Sequence, residues 1–305
     1  MPKPVIDTLA DRAMRMHHML WHISRNAWTQ RGTQQQQVFR SHGWDPPRPA
    51  TTAAGEPAYD NGSGEDFLYM HRQMIAEVNQ LLTHLGDPHY ARVVGWPGIP
   101  APDDHDYAVP PPFDVPGDIG STRAIADAKQ NASLQRMRQW EALFTAPDRL
   151  RSMTLGQLGA RVETTVHNWM HLRWSAEMPA YRPSGDDPFD VDPKWDEPAN
   201  DWLADFYSSH VNPVFWKLHG WVDKRIDDWM TANGHTGEVP WSFDPPWSGP
   251  VTHHHPMPVM AFRVHRGAPG GEALDSHLRM LEAAVDDLRS AGVRVPTPLF
   301  RTFEP

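Results

Sequence analysis

The 305-residue chain contains no cysteine, which excludes disulfides, thiolate metal sites and thiol nucleophiles together. It lacks any apolar run near the roughly 18 residues that a membrane-spanning helix needs, and its mean hydropathy is -0.60. Basic charge is also short: 28 Lys and Arg face 38 Asp and Glu, a formal charge of -10. Neither a nucleic acid nor a membrane surface is therefore expected as a partner. The opening MPKPVIDTLADRAMRM is broken by charges before the apolar core of a signal peptide could form. A cytoplasmic location is the expectation, with export by another route left open.

What is present is a globular composition, 39% hydrophobic and 22% charged, enriched in three residue types: 31 Pro, 18 His and 14 Trp. The length suits one large domain, and residues 1–305 are read as a single one, with 235–305 of unassigned role. Proline at about twice its usual frequency of roughly 5% implies long ordered loops.

Apolar periodicity predicts one long helix over residues 5–28 and a second from Asp66 to Leu85, separated by a polar loop from Thr29 to Gly64 that includes QQQQ. The stretch 95–120 holds too many prolines for a helix. Ser121 is expected to cap a helix through Phe144, and Thr154 to open another that runs to about Trp174. A helical region follows from Ala199 to Met230, restarting at Asn212 as N-cap with Pro213 behind it. One more helix is expected at about Glu272 to Ala291, and the alternating PVMAFRVHR before it reads as a strand. The sum is a mainly α fold, a helix bundle with long Pro-rich loops and little β structure.

The chemistry concentrates in two strings. In Glu163-Thr-Thr-Val-His167-Asn168-Trp169-Met170-His171, a helix would put Glu163, His167 and His171 on one face, and two imidazoles one turn apart can grip one metal ion. Such a spacing also arises by chance among 18 His; the acid one turn earlier is what argues for a site. In Asn212-Pro213-Val214-Phe215-Trp216-Lys217-Leu218-His219-Gly220-Trp221-Val222-Asp223, His219 and Asp223 again share a face. Asp223 could then fix an imidazole, with Phe215 packing the same wall. The alternative is an aromatic core helix in which Asp223 merely satisfies His219. The run His253-His254-His255 reads as an exposed loop, His210 as a substitute ligand beside the restart, and the Asp-rich stretch 186–197 as solvated.

Together, H-N-x-x-H followed by N-P-x-F-W-x-x-H-x-x-x-D resembles the tyrosinase family of type-3 copper proteins, which more often has Asp where this chain has Asn212. The resemblance spans about residues 15–230. It implies a dinuclear centre of two copper ions, with His167, His171 and His219 on copper B. Phe67-Leu68-Tyr69-Met70-His71-Arg72 is similar to the family's string around the last copper A ligand, which points to His71. The family places another ligand shortly before that string, yet no His lies between positions 43 and 70. The resemblance therefore implies His42, displaced by an inserted loop, and His22 as the first ligand with His18 as its alternative.

By the same resemblance Glu163 and Asn168 would hold the water that takes a phenol proton, unless Glu163 only orients His167. Leu172 would make the entrance apolar, and Trp169 or Trp174 would flank an aromatic substrate. The implied activity is hydroxylation of monophenols and oxidation of o-diphenols to o-quinones with O2. Alternatives are an oxidase restricted to catechols or o-aminophenols, a non-catalytic dioxygen-binding protein, and a mononuclear or non-copper metalloprotein. The implied partners are a phenolic or aminophenolic small molecule, O2 and a copper-delivery protein. Apart from the resemblance, six imidazoles with no thiolate suit copper better than iron or nickel.

Overall fold

The computed structural model describes residues 1–182, 187, 189–250 and 271–293. Helix α1 (Lys3–Leu9) and helix α2 (Arg12–Asn26) occupy the stretch expected to be one helix. The chain breaks between them because the Asp11 side chain accepts from the Ala13 N–H and starts a new helix. Nearly every side chain of α2 from Ala13 to Arg25 is buried. A helix buried all round lies at the centre of a bundle.

Helix α3 (Thr33–Ser41) contains the QQQQ run and corrects the expectation of a continuous loop there. It has no broad apolar stripe, and only Phe39 on it is buried. Helix α4 (Ser63–Leu85) ends on Gly86 at φ 65°, the left-handed conformation that glycine adopts without strain. The Pro-rich stretch that follows is free of helix until α5 (Ile119–Ala128), as expected. The α5 cap is Asp118, not Ser121: its carboxylate accepts from the Ser121 N–H. What was expected as one helix is α5 and α6 (Asn131–Thr145), followed by the short α7 (Pro147–Arg151).

Thr154 opens α8 (Leu155–Val162) through a reciprocal pair with Gln157, as its sequence suggested. The chain then widens into one π-helical turn, Glu163–His167, before α9 (Asn168–Trp174). Asn212 caps α10 (Pro213–Ala232) with Pro213 in its first turn, also as expected. The last described helix is α11 (Gly271–Ser290), which packs on α2 and α3. Among the described residues the only extended pairing is a single bridge between Thr51 and Pro57, so the fold is mainly α. No helix among them is long and apolar enough to cross a membrane. The expected strand PVMAFRVHR and the run His253–His255 lie outside the described residues.

Two backbone contacts hold the central helices. A Cβ at Gly64 would lie 2.1 Å from the Ala160 nitrogen and the Gly156 oxygen, so α4 and α8 touch through their main chains. A Cβ at Gly220 would lie 2.5 Å from the Gly95 Cα, and the Trp96 N–H donates to the Lys217 carbonyl at 3.0 Å. The Pro-rich loop is thereby fastened to α10 beside His219.

Candidate metal centre

Five elements point histidines at a common interior: α2 brings His18 and His22, α4 His71, the π turn His167, α9 His171, and α10 His219. His18, His22 and His71 offer ligand nitrogens that lie within 4.8 Å of one another, and so do His71, His167 and His219. His171 joins the second group, its Nε2 lying 3.1 Å from His167 Nε2, which is also 3.1 Å from His219 Nε2. His71 belongs to both groups, and its ring stacks on that of His219 at 4.3 Å. The two halves are alike: each has an H-x-x-x-H pair, His18 and His22 within α2, His167 and His171 across the π turn into α9, and a third imidazole from a long helix.

The hydrogen bonds select the tautomers. A carbonyl only accepts, so each ring nitrogen bonded to one carries a proton. His71 Nδ1 donates to the Phe67 carbonyl, and His219 Nδ1 to the Phe215 carbonyl, both one turn earlier and both at 2.9 Å. His18 Nδ1 donates to Phe206 at 2.6 Å and His171 Nδ1 to Leu203 at 2.7 Å. His167 Nδ1 meets the Asn168 side-chain oxygen at 3.1 Å. In these rings Nε2 is left with its lone pair, the state a metal ligand needs.

A metal ion fits this donor set. The Nε2 atoms of His18 and His71, and Nδ1 of His22, are buried without a hydrogen-bond partner. Three lone-pair nitrogens gathered around His167 would repel one another unless a proton or a cation lay among them. Two nitrogens bound about 2.0–2.1 Å from one ion stand roughly 3 Å apart, which is the spacing seen. Burial, then the neighbouring imidazoles, pushes His22 and His219 well below the ordinary histidine range, and burial pushes His18 and His171 to about 4. All remain neutral at physiological pH, as metal ligation requires.

The expected ligands are brought together with one change. His18 and His22, weighed as alternatives, both enter the first group, because positions four apart on α2 share a face. His42 does not enter: it ends α3 and its Nε2 meets Asp287 of α11 at 2.9 Å. His210 is buried next to the centre, its ring 4.9 Å from that of His18, with Nε2 donating to the Leu9 carbonyl.

The residues expected around the ligands divide in the same way. Phe215 is where its spacing put it, 3.7 Å from the His219 ring and facing His18, His71 and His171. Asp223 does not hold His219, which is satisfied by its own helix; its carboxylate accepts from Arg72 at 2.7 Å, tying α10 to α4 beside His71. Leu172 is buried with Phe113, Ile125 and Trp202 in a separate apolar cluster rather than at an entrance. Trp169 is buried edge-on to Trp140, and Trp174 against Trp96. Glu163 is 5% exposed and binds Arg25 of α2 through both oxygens, with Oε2 at 2.7 Å from Nη2. Arg25 also donates to the Ser63 carbonyl at the start of α4. One guanidinium thus joins three of the ligand-bearing elements, a contact between residues too far apart in sequence to be read from a motif.

The imidazoles of both groups are buried except that of His171, which is half-buried, as are Asn168 and Phe206. No protein-family model matches the chain, and no curated protein matches it either.

Proposed function

We propose that the chain is a dinuclear copper oxidase that converts an o-diphenol or o-aminophenol to its quinone-type product with O2. The observation that carries this reading is the pair of contiguous buried imidazole groups joined at His71. A donor set of neutral imidazoles, without thiolate or carboxylate, suits copper. The sequence resemblance to the tyrosinase family supports the same choice. When bound, two copper ions would accept two electrons from each diphenol and pass four to O2.

The chain's own residues orient and exclude. Main-chain carbonyls hold the His18, His71, His171 and His219 rings by Nδ1, so the ligands are set before a metal arrives. Phe215 fills the space between the groups and keeps water from the ligand faces. Substrate would approach past the half-buried His171, Asn168 and Phe206. Monophenol hydroxylation requires a group free to take the phenol proton. Both oxygens of Glu163 are engaged by Arg25, which favours diphenol oxidation over that step.

Reconstitution with copper should give close to two ions per chain, followed by O2 uptake with a catechol and much slower turnover of the matching monophenol. One ion per chain would remove the dinuclear reading. Equal monophenol and catechol rates would return Glu163 to proton handling, and turnover of neither would favour a dioxygen carrier.

A further inference from the structure

The segment 200–211 touches both imidazole groups. The Leu203 carbonyl accepts from His171 at 2.7 Å, and the Phe206 carbonyl accepts from His18 at 2.6 Å. The Phe206 ring also stacks on His22 at 4.4 Å and 6°. One short turn therefore orients one ligand in each group and covers a second. His71 and His219 differ, since their own helices hold them.

This turn is not held by regular structure. Between Leu203 and Phe206 stands Asp205, whose carboxylate takes two bonds from Arg182, Nε at 3.0 Å and Nη2 at 2.7 Å. Both side chains are buried, with 3% and 5% exposure. Arg182 also donates to the Asp190 carbonyl, and its guanidinium lies over the Tyr207 ring. Asp205 fixes the local backbone as well, its carbonyl accepting from the Ser208 and Ser209 N–H groups. From the other side Arg15 of α2 donates to the Asn200 and Glu197 carbonyls at 2.9 Å. A bidentate pair is a directional constraint as well as a charge contact, and here it is spent on the two carbonyls that aim His18 and His171.

We propose that Arg182 and Asp205 are positioning residues of the metal centre, which set the His18 and His171 imidazoles together through the Leu203–Phe206 turn. The proposal rests on the histidines binding metal but not on the oxidation chemistry assigned above. Partners one step behind metal ligands typically contribute about 10–100-fold to affinity. Because the turn serves both groups, the loss should appear in both.

The test uses the full chain with 15N-labelled imidazoles, and Zn2+ in competition with a chelator. In Asp205→Asn, the Nδ1–H resonances of His18 and His171 should shift or broaden together while those of His71 and His219 stay. Zn2+ affinity should fall about 10–100-fold at both groups, and Arg182→Lys, which keeps the charge but not the fork, should show a smaller change of the same kind. Leu150→Ala in α7 controls for lost stability and should leave the His18 and His171 resonances in place. Unchanged resonances in folded Asp205→Asn, or equal shifts of all four histidines there and in Leu150→Ala, would overturn the proposal. If the native chain bound no Zn2+ and no copper, the metal reading would fall, and the resonances alone would still decide whether the pair sets these two rings.

Discussion

His18 and His42 show how far a residue can be assigned from its neighbours in sequence. The string F-L-Y-M-H-R pointed to His71 through the family resemblance, whereas H-N-W-M-H pointed to His167 and His171 through helical spacing, which sets which side chains share a face. The choice among His18, His22 and His42 depended on which face of α2 turns inward and where α3 ends, which are tertiary facts. His42 sits at a helix end against Asp287, and His18 takes the place expected for it. Substitution of each should therefore separate cleanly. His18→Ala removes a nitrogen from the first group and should reduce bound copper to about one ion per chain. His42→Ala removes a part-exposed contact with Asp287 that lies outside both imidazole groups, and should leave the metal content unchanged. Elemental analysis of the two reconstituted variants decides it; loss of copper in His42→Ala with retention in His18→Ala would reverse the assignment.

The elements that the sequence showed well were those with local punctuation: Thr154 with Gln157, and Asn212 with Pro213, mark helix starts through bonds that close within a few residues. Helix α3 was hidden because glutamines give no apolar period. The π turn was hidden because an extra residue per turn has no composition of its own. It lies between the Arg25–Glu163 contact and His167, where a change in register alters which side chain meets the metal site. The α4–α8 contact was hidden too, since a glycine in a helix reads as a weakness until its neighbour is known. Gly64→Ala should gain up to about 1 kcal/mol of helix propensity and lose more, because its Cβ would meet backbone atoms at 2.1 Å that cannot move aside singly. A net destabilisation of about 2 kcal/mol or more is expected. Gly32→Ala, with an ordinary φ of -64° and nothing within 4 Å, should be nearly neutral. Thermal unfolding of both variants gives the comparison, and an unchanged midpoint for Gly64→Ala would show that the helices are not in main-chain contact.

At the scale of the whole molecule, the centre gathers many neutral histidines into the core. Burial pushes His17 and His18 to about 4, and pushes His22, His71, His167, His210 and His219 well down from their ordinary value. In the unfolded chain the same groups titrate near 6.5. The fold thus binds fewer protons than the unfolded chain below that pH, so stability falls as pH falls. The contribution is complete above about pH 6.5 and is lost as the pH drops through the folded values, near 4 for His17 and His18. Each group that stays neutral in the fold removes about 1.4 kcal/mol per pH unit in that window, and ordinary domains have only about 5–15 kcal/mol in total. The metal-free chain should therefore unfold on mild acidification, between about pH 6 and pH 5. A bound metal competes with protons for the same lone pairs and stabilises the fold to which it binds. The loaded chain should keep its midpoint to lower pH, and above pH 7 the two curves should run parallel, separated by the constant gain from binding. Thermal midpoints of the metal-free and loaded chain from pH 8 to pH 4 measure both effects, and a flat metal-free profile across that range would mean that the histidines are not buried as a group.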